Sequence, residues 1–295
     1  MTDQIDAQLI ISFQEYLIHQ GMAPTTIKNY LADLSAFARR FGTQAKNDAF
    51  LLTFSAADLR AYCTELHNDG LATSTINRRL QALRKFGQFA VETGLRTDNP
   101  AHDVARLRSG QPPPPRVLSK TEADDLLETV LAEAKPSQVH RDYAIFLTLL
   151  SCGIRLRELV DLKLEDVVLS EDEGYLMVGS SSSEGGRVIP FGAGTSVALM
   201  TYLRVRPNLP DEDHFFLSRE GRPISSRSVQ RLVTCYTRTA GLKNVSAQTL
   251  RTTFAHAMLE GTGDMEIVAK LMGHRSKAIT ARYFSRSHQV TIQSF

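Results

Sequence analysis

Ser151-Cys152-Gly153-Ile154-Arg155-Leu156-Arg157-Glu158-Leu159 is the stretch on which the reading of this chain turns. An apolar helical run from Tyr143 to Leu150 leads into it, and Gly153 is placed to end that helix. Arg155 follows, with Glu158 one turn on as a candidate partner. Farther along, Thr249-Leu250-Arg251-Thr252-Thr253-Phe254-Ala255 sets a second arginine on a helix whose apolar face includes Leu250, Phe254 and Ala257. Leu271-Met272-Gly273-His274 comes next, and Tyr283 follows that histidine by nine residues. Each residue alone has a plainer reading: a surface arginine in a salt bridge, a histidine at a helix C-terminus, an aromatic anchoring a helix. Together, two arginines, a histidine and a tyrosine can make a phosphodiester-cleaving site. The arginines hold non-bridging oxygens and neutralise transition-state charge, the histidine supplies a hydrogen bond, and the tyrosine oxygen attacks phosphorus.

These phrases, in this order, resemble those of the tyrosine recombinase (phage integrase) family, in its simple Xer-like two-domain form. Gly153–Leu159 is similar to the family's first box, G-[LI]-R-x-x-E-L, and Thr249–Ala255 to its second, H-x-L-R-H-T-F-A. Leu271–His274 is similar to L-L-G-H, and the spacing to Tyr283 is that of the family nucleophile. The resemblance implies a catalytic set of Arg155, Gln248, Arg251, His274 and the nucleophile Tyr283. It implies a site-specific recombinase that cuts and rejoins DNA through a 3′-phosphotyrosyl link. No metal, ATP or other cofactor enters that scheme. The implied partner is double-stranded DNA with paired recombination sites, bound by a homotetramer or together with a second recombinase.

Two departures accompany the matches. Gln248 stands where the family's second box has histidine. The family also carries a lysine on a β-hairpin between the two arginines, typically in G-K-G-x-K-x-R. Here that stretch reads Gly179-Ser180-Ser181-Ser182-Ser183-Glu184-Gly185-Gly186-Arg187-Val188-Ile189-Pro190, and no lysine lies between Lys163 and Lys243. Loss of a general acid costs ~10²–10⁴-fold in rate. Serine gives up a proton poorly, and Arg187 is a donor but a very weak acid. A water, Lys243 or a neighbouring protomer's lysine are the open alternatives.

Around these motifs the chain reads as two domains. Residues 1–108 form helices with short connections. Leu9, Phe13, Tyr16 and Leu17 make one apolar stripe; Ile27, Tyr30, Leu34 and Phe37 make a second after Pro24. Ser55-Ala56-Ala57-Asp58 is a capping signal for a third helix, and Thr73-Ser74-Thr75 opens a fourth that stops near Gly94. This pattern resembles the family's four-helix, SAM-like core-binding domain. Arg78, Arg79 and Lys85 fall off the fourth stripe and are read as free to meet phosphates, with Lys28 on the second helix as a further DNA-binding candidate. An ordinary solvated helix face is the plain alternative.

Residues 109–117 hold four prolines in a row and form a linker. Residues 118–295 form the second, catalytic domain, opening with the capping box Ser119-Lys120-Thr121-Glu122. Short strands are expected near 166–169, 175–178 and 187–190, and helices over 226–240, 249–260, 264–272 and 278–284. The fold class is therefore mainly α, with a helical first domain and an α+β catalytic domain that carries a small three-stranded antiparallel sheet. In Xer-like relatives a tail such as Val290–Phe295 packs into the next protomer.

Composition agrees with a globular protein: 42% apolar and 22% charged residues over 295 positions. No apolar run reaches membrane-spanning length, and the N-terminus shows no secretory pattern, which implies a cytoplasmic protein. Cys63, Cys152 and Cys235 are scattered and read as reduced structural residues. A net charge of +2 argues little, but 25 arginines against 9 lysines favour phosphate. Two readings compete with an active recombinase. One is a sequence-specific DNA-binding relative with weak, conditional or lost catalysis, which the missing lysine and Gln248 favour. The other is a type IB topoisomerase-like enzyme that nicks and reseals without a partner strand.

Overall fold

The computed structural model describes residues 2–41, 50–108, 114–179, 186–274 and 280. Its contacts divide the chain into two units, Met1–Pro112 and Pro113–Phe295, with the division inside the proline run. Tyr283, the hairpin tip 180–185, the C-terminal tail and all of the expected 278–284 helix except Thr280 lie outside the described residues.

The first unit is helical. It comprises α1 (Thr2–His19), α2 (Pro24–Phe41), the one-turn α3 (Phe50–Thr53), α4 (Ala56–Asn68) and α5 (Thr73–Glu92). The apolar stripes turn inward as the periodicity predicts: Phe13, Leu17, Leu34, Phe37 and Phe86 are fully buried. Phe13 meets Phe86 edge-on at 5.3 Å, and Phe37 packs on Tyr62 at 5.0 Å, so α1, α2, α4 and α5 share one aromatic core. Each buried Phe contributes roughly 1.5–3 kcal/mol. Ser55 caps α4 through the predicted box, its hydroxyl accepting from Asp58 N while the Asp58 carboxylate accepts from Ser55 N. The α3 turn has too few residues to show a helical period in sequence.

In the second unit, α6 (Lys120–Glu133) and α7 (Val139–Cys152) precede the short α8 (Leu156–Val160). Strands β1 (Val167–Leu169), β2 (Glu173–Val178) and β3 (Arg187–Gly192) form an antiparallel sheet in the order β1-β2-β3. The remaining elements are α9 (Ala193–Val205), α10 (Ser226–Thr239), α11 (Ala247–Thr262) and α12 (Met265–Met272). Leu176 pairs with Ile189 and Val178 with Arg187. Cross-strand partners share a face, so strand alternation puts Arg187 on the inward face with Ile189 and Phe191 and turns Val188 outward. The Ser119 capping box is present as predicted.

Two helices escaped the pattern reading. The α8 helix is a single turn. In α9 the polarity is inverted in the first turn, where Thr195 and Ser196 are buried while Val197 is more than half exposed, before Leu199 and Tyr202 turn inward. The inward hydroxyls find partners, Ser196 donating to Ser170 O and Thr195 bonding Ser151 at 2.8 Å.

Helices α7 and α10 are joined by a buried polar bond. Tyr236 donates to Asp142 Oδ2 at 2.7 Å, and Arg141 donates to the other carboxylate oxygen at 2.7 Å. Asp142 is 1% exposed, so its charge depends on these donors. Replacing Tyr236 with Phe keeps the ring against Phe146 but removes one donor from a buried carboxylate. We predict a loss of about 1.5–3 kcal/mol in urea-unfolding stability; a Tyr236→Phe protein as stable as wild type would contradict the assignment.

Candidate active site

The site is built where three elements converge on the end of α12. Gly153 ends α7 in the left-handed region at φ 55°, and Ile154 is buried beneath the turn. Arg155 then stands just before α8. Glu158 reaches back one turn and accepts from Arg155 N at 2.6 Å, half of a capping box. The same carboxylate accepts from Arg155 Nη1 at 2.8 Å and from Arg187 Nη1 and Nη2 at 2.9 and 2.8 Å. Arg251 Nη1 lies 3.9 Å from it. One carboxylate thus serves three guanidiniums.

The three arginines also share the C-terminus of α12. Arg187 Nε donates to Leu271 O at 2.6 Å, Arg251 Nη2 to Met272 O at 2.5 Å, and Arg155 Nη2 to Gly273 O at 2.7 Å. A helix end leaves its last carbonyls without helical partners, and here three consecutive ones are each taken by a different arginine. Arg251 is 2% exposed and also donates to Gly153 O, which ties the two arginine-bearing turns together. Arg155 is the outermost, with a side chain 47% exposed.

His274 follows Gly273, which is left-handed at φ 61°. Its Nε2 accepts from Arg251 Nη2 at 3.4 Å, and its Nδ1 lies 2.8 Å from Thr280 Oγ1. Because arginine can only donate, this network assigns the ring proton to Nδ1. Burial, and then the charges of Arg251, Arg155 and Arg187, depress the imidazole to about 4. Glu158 feels the opposite balance. Burial is the largest influence and acts upward, but the Arg187 bonds, the Arg155 backbone bond and the Arg155 side chain together hold it at about 2. At neutral pH the centre therefore holds an ionised carboxylate, a neutral histidine and three cations.

The comparisons with known proteins point the same way. Residues 116–289 match the phage integrase family, and residues 10–94 match the phage integrase N-terminal SAM-like domain. The chain belongs to the phage integrase family. It is 32% identical over 281 residues to a tyrosine recombinase XerC of Alcanivorax borkumensis, covering 94% of this chain and 88% of that protein. It is 33% identical to tyrosine recombinase XerC of Chromobacterium violaceum, covering 96% and 91%. In fold it is similar to XerH site-specific recombinase in a post-cleavage complex with palindromic difH substrate (TM-score 0.77, 19% identity, 96% of this chain and 82% of that one). A lambda integrase tetramer bound to a Holliday junction is similar at TM-score 0.71 and 17% identity, over 94% of this chain and 76% of that one.

Within this phage integrase frame, the structure brings together Arg155, Arg251 and His274 of the expected set. Gln248 is exposed one turn before Arg251, in the first turn of α11, where the helix dipole favours an anion. Tyr283 lies outside the described residues, as do Ser180–Gly185. Sequence reading had treated Arg187 only as a poor stand-in for lysine. Its pairing with Glu158 was not legible there, because it depends on the inward register of β3.

The first unit corrects one expectation. Arg78, Arg79 and Lys85 are not free. Arg78 pairs with Asp33, which is 5% exposed on α2. Arg79 donates to Tyr62 Oη at 3.1 Å and lies 3.8 Å from the same carboxylate. Lys85 sits over the Tyr16 ring at 5.3 Å and reaches Gln88. Asp33 was invisible to a stripe count, since a single acid facing a neighbouring helix leaves no period. Lys28 is exposed on α2. A second basic face was missed altogether. On α10, Arg227, Gln230, Arg231, Thr234 and Arg238 are exposed opposite buried Val229, Val233 and Tyr236, and the helix has no acid. That arginine spacing with no acid was its sequence signal.

The depressed groups set a pH dependence. Unfolded His274 takes up a proton near 6.5, but the folded form does so only near 4, so acid favours unfolding between those values. Glu158 adds stability above its ordinary value that is lost as pH falls toward about 2. Thermal melts should therefore show stability falling from pH 6.5 to 4. His274→Gln should flatten that upper window while leaving the lower one. An unchanged slope in the variant would contradict a half-buried, neutral His274.

Proposed function

We propose that this chain is a site-specific DNA recombinase that cuts and rejoins strands through a 3′-phosphotyrosyl intermediate at Tyr283. The observation that supports it most is the convergence of Arg155, Arg251 and the neutral His274 around a site with three guanidiniums and one carboxylate. Such a site holds a phosphodiester anion and stabilises the added charge of a pentavalent transition state. Similarity to tyrosine recombinases XerC supports the same reading.

In the proposed reaction the Tyr283 oxygen forms a bond to the scissile phosphorus and loses its proton. The bond from phosphorus to the 5′-oxygen breaks, and that oxygen takes up a proton. Arg155 and Arg251 bind the non-bridging oxygens, Gln248 donates an amide N–H to the same phosphate, and the neutral His274 orients Arg251 by accepting at Nε2. A 5′-hydroxyl of the partner strand then attacks the phosphotyrosine and restores the phosphodiester. The covalent link conserves the bond energy, so the scheme needs no nucleotide. Double-stranded DNA with paired sites is the substrate, held by four protomers of this chain or by this chain with a second recombinase.

The lysine-free hairpin favours a second reading, a DNA-binding relative with weak or conditional cleavage. Arg187, the first residue of β3, is committed through all three of its nitrogens. A nicked suicide duplex taken from footprinted DNA beside the gene separates the two. We predict a covalent protein–DNA band with wild type that is absent with Tyr283→Phe. Footprinted binding with no band from either protein, even with a 5′-thio leaving group, would leave the DNA-binding reading.

The α10 face is proposed as the duplex contact of the second unit, and Lys28 with the half-exposed Arg78 as that of the first, with Arg79 and Lys85 beside it. Exposed arginines that neutralise phosphates release counterions. Arg231→Gln should weaken binding to all sequences and reduce the slope of log K against log salt by about 1, and Arg227→Gln should do the same. An unchanged salt slope in both variants would remove α10 from the interface.

A further inference from the structure

We infer that Arg187 is a positioning residue of this site: its guanidinium fixes the end of α12, and with it His274, against Arg155 and Arg251. The inference rests on the recombinase reading for its catalytic consequence, though not for its geometry. Arg187 is the first residue of β3, and its side chain is 16% exposed. Its fork spans both oxygens of Glu158, while Nε takes Leu271 O. One planar group therefore joins three elements: the sheet, the turn at α8 and the C-terminus of α12.

The contact with Gly273 shows how tightly that end is held. A Cβ added at Gly273 would lie 2.8 Å from Arg187 Nη1 and 2.9 Å from its Cζ. The guanidinium thus lies against the backbone of the residue that immediately precedes His274. The turn itself closes through Gly273 N to Lys270 O and His274 N to Ala269 O, both at 3.0 Å. Arg187 grips that turn from the side, and Arg155 and Arg251 take the two carbonyls that follow its own.

This geometry separates positioning from proton transfer. A guanidinium is a very weak acid, and all three nitrogens already have partners. Lysine at this position would keep the charge. It could not bridge two carboxylate oxygens and a carbonyl in one plane. Arg187→Lys is therefore the informative change, because it alters geometry while preserving electrostatics.

Two measurements on the full chain test the inference. In the free protein, ¹⁵N NMR of the His274 imidazole, assigned by its loss in His274→Gln, reports tautomer and titration. Wild type should show the Nδ1–H form titrating near 4. Folded Arg187→Lys should titrate upward by about one unit or more, with the tautomer preference weakened. An identical tautomer and titration would overturn the inference. If Arg187→Lys does not fold, Arg187→Gln, whose amide cannot span Glu158 and Leu271 O together, supplies the tautomer readout.

The second measurement is the rate of covalent complex formation on nicked duplexes with an ordinary and a 5′-thio leaving group. Arg187→Lys should lower both rates by about 10²-fold, the scale of a small misplacement, with footprinted affinity unchanged. Restoration of the wild-type rate by the thio leaving group would identify Arg187 as the proton donor and overturn the inference. If wild type itself forms no covalent complex with either duplex, the recombinase reading fails, and the NMR result alone decides whether Arg187 holds His274.

Discussion

Three consecutive carbonyls at the end of α12 accept from three arginines of three different elements, and those arginines share Glu158. Bringing three cations this close is unfavourable without compensation. The structure supplies one full negative charge from the carboxylate and roughly half a charge from the helix terminus. The excess is then about +1.5. A phosphodiester carries one negative charge in its ground state and approaches two as it becomes pentavalent. The compensation is thus enough to assemble the arginines and too little to neutralise them, which is the condition for favouring the transition state over the ground state.

The motif glycines follow from the same constraint. A Cβ at Gly153 would lie 2.1 Å from Phe254 Cδ1, so only glycine lets α7 end this close to α11. That approach puts Gly153 O within reach of Arg251. Gly273 does the equivalent for Arg187 at the other side of the site. Both glycines are also left-handed, a conformation that costs other residues. What reads in sequence as a box is, in the structure, a pair of close backbone approaches that place guanidiniums.

Much of the fold was legible because it is carried by local signals. The stripes on α1, α2, α4 and α5 and the boxes at Ser55 and Ser119 have a period or a spacing of their own. The inverted polarity of α9 did not, since its buried hydroxyls are satisfied by distant partners. The site divided in the same way. Arg155, Arg251 and His274 stood out through resemblance to family boxes, whereas the Asp33 anchor of Arg78 and the Glu158 clasp of Arg187 depend on which faces meet in space. Pairing between elements leaves no trace in a one-dimensional pattern until register and packing are known.

The lysine-free hairpin has a consequence that follows from reversibility. In the proposed scheme the group that protonates the departing 5′-oxygen in cleavage must deprotonate the attacking 5′-hydroxyl in ligation. A weaker group in place of the lysine would therefore slow both directions by the same factor and leave the equilibrium between intact and phosphotyrosyl DNA unchanged. The arginine cluster is different in kind. In the same scheme it would bind the phosphate in both states, so weakening it would alter affinity for the charged transition state without supplying any proton. In the proposed scheme, then, a site that keeps Arg155, Arg251 and the Arg187–Glu158 clasp without a hairpin lysine would still hold the transition state, and its turnover would be governed by how the 5′-oxygen obtains its proton.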